Sequence, residues 1–290
     1  MSIAVTAASG RLGHAVLAHL GGLHPPADTV AVVRDPARLR TTGVDVRRAD
    51  YASVADMTVA LRGVHTVVMI SAPVVSGTDR VALHRNVMAA AREAGVSRLV
   101  FSSIASESDE STLYFPTQQI NRDTEAVLRS SGLAWTVLRN ALYLDLDIVH
   151  IFAAGAEGAV YSNPGGDGRA SYLTIDELAY ATAKVAVTGG HEGKTYNLTG
   201  DCVSQAELVR QANEVFGFAV RYEPMSDEAS IERFMRLMPH RGMDVARMLT
   251  GCFQAMRKGH FDLPSHFEAA AGRPPKSLRA MLEDCRARRR

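Results

Sequence analysis

The sequence predicts an α/β fold: a doubly wound parallel sheet with a smaller C-terminal α/β domain. Three observations lead there. Short β-branched runs alternate with helical segments from the N-terminus to about Asn140. Those runs are apolar throughout, as strands covered on both faces require. The connections are short, so successive parallel strands must be joined by right-handed helical crossovers.

The elements follow in order. SIAVT reads as the first strand, and a helix opens at about Arg11 with Leu12, Val16, Leu17 and Leu20 on one face, stopped at Gly21-Gly22. TVAVVR is the second strand; Asp35 then suits an N-cap and Pro36 the first helical position of a helix. VDVRRAD is the third strand, and SVADMTVALRG the next helix, with Ser53 and Asp56 at capping-box spacing. HTVVMIS, RLVFSSI and AWTVLRN are further strands, separated by helices such as DRVALHRNVMAAAREAG. Beyond Asn140 the alternation stops. NPGGDGR is a Gly-rich connection, TIDELAYATAKVAVTGG and SQAELVRQANEVFG are capped helices, VRYEP is strand-like, and two Met-rich helical stretches follow.

Composition narrows the function. A net charge of +1 over 290 residues gives no reason to expect a nucleic acid or an acidic membrane surface as partner. No run of apolar residues reaches the roughly 18–20 needed to span a bilayer, and no signal peptide is evident before the first strand-like run. Cys202, Cys252 and Cys285 lie far apart, as reduced thiols in a cytoplasmic protein would. No histidine pair or cysteine cluster has metal-ligand spacing, so no metal is expected. The terminal CRARRR is read as a solvated helix end.

The first strand runs directly into TAASGRLG, Thr6 to Gly13, at the start of a helix. A Gly-rich turn in that context lets backbone amides and the helix N-terminus meet a pyrophosphate. The end of the second strand chooses the nucleotide. An acid there accepts from the ribose of NAD, whereas an arginine suits the extra phosphate of NADP. Arg34 and Asp35 are both present, but Asp35 has a capping role open to it, so Arg34 points to NADP. Asp50 ends the third strand, where a carboxylate can accept from the adenine amino group. Ser71, Ala72 and Pro73 end the fourth.

Taken together, VTAASGRLG, VVRDP, RRADY, ISAP, REAGVSRLVFSS, TEAVLRSSGLAWTVLRNALYLD and GHEGKTYNLTG resemble the NmrA-like atypical short-chain dehydrogenases, and in particular their quinone-reductase and triphenylmethane-reductase group. The resemblance implies a Rossmann domain over residues 1–150 that binds NADPH, and a smaller substrate domain over 151–290 with some segments returning to the sheet. It places the cofactor loop on Thr6, Ala8, Ser9, Gly10, Arg11, Leu12 and Gly13, with Arg34, Asp50, Ser71, Ala72 and Pro73 further along the cofactor. It puts Ser102, Ser103, Asn140 and Tyr143 beside the nicotinamide. The first glycine of the family's motif is Ala7 here, and its methyl is tolerable if φ at that residue is below zero.

A larger departure concerns the proton. Ordinary short-chain dehydrogenases carry Tyr-x-x-x-Lys on the helix that here contains YFPTQQINRDTE; alignment on the family puts Thr117 and Asn121 at those two positions. The first lysine in the chain is Lys184, so no register within the first domain restores the pair. Ser103 and Tyr143 remain as candidate catalytic groups, and Tyr114, Phe115, Gln118 and Tyr143 as substrate contacts. The missing donor favours acceptors that need little help. A quinone yields a phenolate, which resembles tyrosine with a pKa of about 10 and takes its proton from water; an aromatic ketone can use its own phenolic hydroxyl. Two readings follow. One is an NADPH-dependent reductase of a bulky aromatic quinone or ketone, a monomer or homodimer. The other is a redox sensor that binds NADP(H) without turnover.

Overall fold

The computed structural model describes residues 1–39, 41, 43–75, 77–107, 116–157 and 160–288. Seven parallel strands form the central sheet: β1 (Ile3–Thr6), β2 (Thr29–Val33), β3 (Asp45–Arg48), β4 (Thr66–Met69), β5 (Arg98–Ile104), β6 (Ala134–Asn140) and, much later in the chain, a strand at Lys194–Leu198. Between β6 and that last strand come β7 (Leu142–Tyr143), β8 (Val160–Asn163) and β9 (Arg169–Leu173), which makes Lys194–Leu198 β10. The sheet order is β10-β6-β5-β4-β1-β2-β3. The order reverses between β1 and β4, and a doubly wound sheet opens its ligand crevice beyond the strand ends at such a switch point.

Alternate residues of the inner strands feed two apolar layers. Ile3, Val5, Ala31, Val33, Val68 and Val100 face α1 (Arg11–Gly21), whose Leu12, Val16, Leu17 and Leu20 form the stripe visible in the sequence. Ala4, Val30, Val32, Val67, Leu99 and Phe101 face α2 (Val54–Ala60), α3 (Arg80–Glu93) and α4 (Pro116–Arg129). Next come α5 (Leu144–Glu157) and α6 (Ile175–Val187). α6 packs along α1, and β10 pairs with β6 over Lys194–Leu198. Residues beyond 150 thus divide between the main sheet and a second layer. That layer holds β7, β9 and β11 (Cys202–Ser204), the pair β8–β12 (Arg221–Pro224), α7 (Gln205–Phe216), α8 (Asp227–Leu237), α9 (Gly242–Arg257), α10 (Phe267–Ala271) and α11 (Leu278–Ala287).

Local signals set several boundaries. Ser204 and Glu207 form a complete capping box on α7, Ser53 accepts from the Asp56 amide at the start of α2, and Thr174 caps α6. Asp35 accepts from the Ala37 amide as expected, but the helix it opens is a single 3-10 turn, Pro36–Arg38. The Gly-rich NPGGDGR connection packs on the C-terminal end of α9: a Cβ on Gly168 would lie 2.7 Å from the Arg257 backbone nitrogen. The basic C-terminus is partly engaged, with Arg286 donating to the Val215 carbonyl and Arg288 pairing with Asp176 at 2.7 Å. Among the described residues no helix is long and apolar enough to cross a membrane, no cluster has the makings of a metal site, and the three cysteines are free thiols.

Candidate functional site

A cleft of about 610 Å³ opens at the switch point. Its walls include Ala7, Ser9, Gly10, Arg11, Leu12 and Gly13 from the β1–α1 turn, Arg34 and Arg38 beyond β2, and Asp50 and Tyr51 beyond β3. Ser71, Ala72 and Pro73 beyond β4 and Tyr143 from β7 complete the set of strand-end residues.

The turn is built to receive an anion. Gly10 is the N-cap of α1 and supplies no side-chain cap, so the first helical amides keep their donors for a ligand. Gly13 allows the helix to sit on the turn, since a Cβ there would meet the Ala7 carbonyl oxygen at 2.6 Å and Ala8 Cα at 2.9 Å. Ala7 departs from expectation. Its φ is +49°, in the left-handed region, not below zero. The turn therefore keeps the geometry that a glycine would adopt, and an L-residue there costs roughly 1–2 kcal/mol. The closing Gly10 N–H to Ala7 carbonyl bond, at 2.9 Å, holds it in place.

Arg34 and Arg38 are exposed, and neither guanidinium makes an ion pair or hydrogen bond among the described residues. Asp35 is occupied by its cap. Two free guanidinium groups with no free carboxylate between them fit a ribose phosphate better than a ribose diol. Asp50 accepts from the Ala52 amide through Oδ1 at 2.9 Å and leaves Oδ2 for a ligand.

Thr6 and Ala8 do not line the cleft with their side chains. Both are fully buried; the Thr6 hydroxyl bonds the Tyr51 hydroxyl, which donates to the Ile70 carbonyl at 2.7 Å. Ser102 is likewise buried and accepts from the Ser71 amide at 2.9 Å. These groups shape the floor from behind.

The Ser71–Pro73 loop is clamped by two α3 side chains that the sequence pattern did not single out. Arg80 donates to the Ala72 carbonyl at 2.9 Å and to the Ser71 hydroxyl at 2.6 Å. His84 Nε2 accepts from the Ala72 amide at 2.8 Å, so its proton sits on Nδ1, facing the Thr124 hydroxyl at 2.9 Å. Burial, reinforced by the Arg80 charge, pushes the His84 pKa down to about 3. Their spacing after ISAP, at positions 80 and 84, puts both on one helix face, the one signal that was available.

Ser103 has a different setting from Ser102. Strand alternation turns it away from Ser102, and its hydroxyl donates to Glu125 Oε1 at 2.7 Å. Glu125 is fully buried between Arg122, Arg129 and Arg139. Burial would raise the Glu125 carboxyl, but hydrogen bonds and charge from Arg139, Arg122 and Ser103 hold it below the usual carboxylate range. The Ser103 proton is thus engaged by an ion-pair cluster. Gln118 is 1% exposed; it donates to the Ser106 hydroxyl and the Glu107 carbonyl and braces the connection after β5. Tyr114 and Phe115 lie outside the described residues.

Tyr143 lines the cleft, half-buried, and burial raises its hydroxyl pKa against the opposing influence of nearby Asn140. Asn140 is 2% exposed, yet no hydrogen bond of good geometry reaches either atom of its amide. An orphaned amide at the end of β6 fits a polar ligand group such as a carboxamide. Asn121 donates to the Thr117 carbonyl at 2.7 Å and leaves its own Oδ1 unpaired.

Uncapped amides and free arginines along one crevice fit NADPH. Residues 7–167 match a family model described as NAD(P)H-binding, and quinone oxidoreductase 2 of Escherichia coli K12 is 37% identical over 229 residues, 78% of each chain. The chain belongs to the NAD(P)H-binding, NmrA-like family of oxidoreductases. Two solved relatives extend the likeness to nearly the whole length. The NADPH complex of that E. coli quinone oxidoreductase superposes with a TM-score of 0.85 at 30% identity, covering 98% of this chain and 99% of that one. The Citrobacter sp. triphenylmethane reductase complexed with NADP(H) also gives 0.85, at 29% identity and the same coverage. NADPH is this family member's cofactor, and when bound it supplies hydride.

Proposed function

We propose that this NmrA-like protein is an NADPH-dependent reductase of bulky aromatic quinones or aromatic ketones, working without a Tyr–Lys proton relay. The observation that carries the reading is the composition of the cleft. It has donors for a dinucleotide and two free arginines for its ribose phosphate. Tyr143 completes its wall, and no lysine stands among the residues that line it. Such a site positions a hydride donor and excludes water, which is what hydride transfer asks of a protein. The relatives named for quinone and triphenylmethane reduction support the same class.

In this reading Ser9 to Gly13 hold the pyrophosphate, Arg34 and Arg38 the ribose phosphate, and Asp50 the adenine. Ser71, Ala72 and Pro73 follow the cofactor inward, Asn140 orients the nicotinamide amide, and Tyr143 contacts nicotinamide or substrate.

The test is NADPH oxidation followed by absorbance with purified protein and a panel of quinones and polycyclic hydroxy-ketones, after NADPH binding has been measured by titration. Turnover on an aromatic acceptor is the expected result. Tight NADPH binding without turnover across the panel favours the redox-sensor reading.

A further inference from the structure

Arg80 is 5% exposed, and among the described residues no carboxylate pairs with it. Other buried charges are balanced within the fold: the fully buried Glu125 has three arginines about it, and Glu177, 2% exposed, has Arg273 at 2.7 Å. Arg80 has only the neutral oxygens of Ala72 and Ser71, and its Nη1 has no partner. A buried cation is costly until an anion approaches it. Arg80 bonds two residues that line the cofactor cleft, and the phosphates of a dinucleotide bring the missing negative charge there.

The protons around this guanidinium have one consistent arrangement. Thr124 gives its hydroxyl proton to the Ile120 carbonyl at 2.8 Å, so it accepts from His84 Nδ1 at 2.9 Å. His84 Nε2 then carries a lone pair, which takes the Ala72 amide proton at 2.8 Å. The Ala72 carbonyl accepts from Arg80 Nε, and Arg80 Nη2 donates to the Ser71 hydroxyl at 2.6 Å. A guanidinium cannot accept, so Ser71 keeps its own proton in that bond. Its other neighbour, His84 Nε2, is 3.4 Å from the Ser71 oxygen and has its single lone pair already filled.

The backbone of this stretch has no donor to spare. The Ser71 amide is bonded to Ser102, the Ala72 amide to His84, and Pro73 has no N–H. Across Ser71–Pro73 the Ser71 hydroxyl is the donor left for a ligand, and the bond it accepts from a cation strengthens it. Sheet order says which part of the dinucleotide meets it. The phosphate turn follows β1, Arg34 and Arg38 follow β2, and Asp50 follows β3, so the adenosine half lies on one side of β1. Ser71 follows β4, on the other side, and faces the nicotinamide half.

We propose that Arg80 and His84 are positioning residues for NADPH: they hold the Ser71 hydroxyl as a donor to an oxygen of its nicotinamide half, on the ribose or the adjoining phosphate. The proposal rests on the cofactor reading of the cleft and deepens it, and it holds whichever acceptor is reduced.

The test is isothermal titration of the full-length protein with NADPH, NADH and the adenosine bisphosphate half of NADPH, after each variant has been shown to fold. Ser71→Ala should weaken NADPH and NADH by the same factor, about tenfold, and leave the adenosine fragment within about twofold of wild type. Arg80→Lys keeps the charge but lacks the fork that reaches both oxygens, and should show the same pattern. In the Ser71→Ala background Arg80→Lys should cost at most about a further twofold, because the group it acts through is gone. A merely structural role would instead give additive losses that extend to the adenosine fragment. His84→Gln still offers an oxygen to the Ala72 amide and should lose less NADPH affinity than His84→Leu; this pair decides the matter if Arg80→Lys does not fold. Unchanged NADPH affinity in Ser71→Ala, additive losses, an equal loss of the adenosine fragment, or equal losses in the two His84 variants overturns the positioning role alone. Wild-type protein that does not bind NADPH overturns the cofactor reading and the positioning role with it.

Discussion

His84 and Ala72 are joined by an uncommon bond, a backbone amide donating to a neutral imidazole nitrogen at 2.8 Å. Protonating that nitrogen would break the bond and set a second cation beside Arg80, itself buried, with its pKa pushed down to about 10, yet still charged at neutral pH. The folded-state pKa of about 3 lies below the usual 6.5. Between those values the unfolded chain binds a proton that the folded chain refuses. Stability from this group is therefore complete above about pH 6.5 and is lost as pH falls toward 3, with a slope of at most about 1.4 kcal/mol per pH unit. Urea denaturation at pH 7.5, 6 and 5 should show that decline. His84→Gln, which offers an oxygen to the same amide but cannot titrate, should be less stable at pH 7.5 and flatter across the series. Equal slopes for both proteins would place the responsible proton elsewhere.

Ala7 offers a test of stored backbone strain. Replacing an alanine at φ +49° by glycine removes the steric cost of the left-handed conformation but loosens the unfolded chain. The balance favours Ala7→Gly by roughly 0.5–1 kcal/mol, read as a higher midpoint in thermal or urea denaturation, with NADPH binding retained. Gly13→Ala should do the reverse, because its new Cβ would stand 2.6 Å from the Ala7 oxygen and force the turn open. NADPH affinity should then fall at least tenfold, and a variant that binds NADPH normally would show that the turn has more slack than the close approach implies.

What was legible in the sequence was what is local. The Ser204–Glu207 capping box, the Asp35 cap and the apolar stripe of α1 are each decided within a few residues, and each is in place. The strand-end rule put Ser71 to Pro73, Arg34 and Asp50 on one crevice because chain order and parallel pairing leave few alternatives. Long-range choices were not legible. KTYNL gives no sign that it will pair with β6, some sixty residues earlier, because the alternation that marked the other strands has stopped by then. The sequence expectation set Ser102 and Ser103 together beside the nicotinamide; that α4 would bring Glu125 to the Ser103 hydroxyl was not legible. Nor could the sign of φ at Ala7 be read, since the packing of α1 on the turn imposes it against the residue's own preference.

The cluster around Glu125 should matter for folding more than for chemistry. Glu125→Ala would leave Arg122 and Arg139 facing each other in a buried site, a loss of about 3–5 kcal/mol, measured as a sharply lower denaturation midpoint. Ser103→Ala removes one hydrogen bond to a charged group, worth roughly 1.5–3 kcal/mol. Its turnover per folded molecule should stay within about threefold of wild type, because a bond already committed to Glu125 contributes nothing in the cleft. A hundredfold loss of kcat, in the range a lost general acid or base produces, would return Ser103 to the reaction.

The two free arginines make a prediction about cofactor choice. A phosphate held by Arg34 and Arg38 makes charge-assisted bonds, each worth about 1.5–3 kcal/mol. Arg34→Ala should therefore weaken NADPH binding by roughly ten- to a hundredfold while leaving NADH affinity nearly unchanged, since NADH has nothing at that place to lose. Arg38→Ala should act in the same direction, and the double variant should bind the two cofactors almost equally. Because both side chains are exposed, the preference for NADPH should also shrink as ionic strength rises. Isothermal titration with both cofactors at low and high salt separates the cases. A parallel loss of NADH and NADPH affinity would mean that the arginines hold the loop itself, whereas a selective loss identifies them as readers of the ribose phosphate.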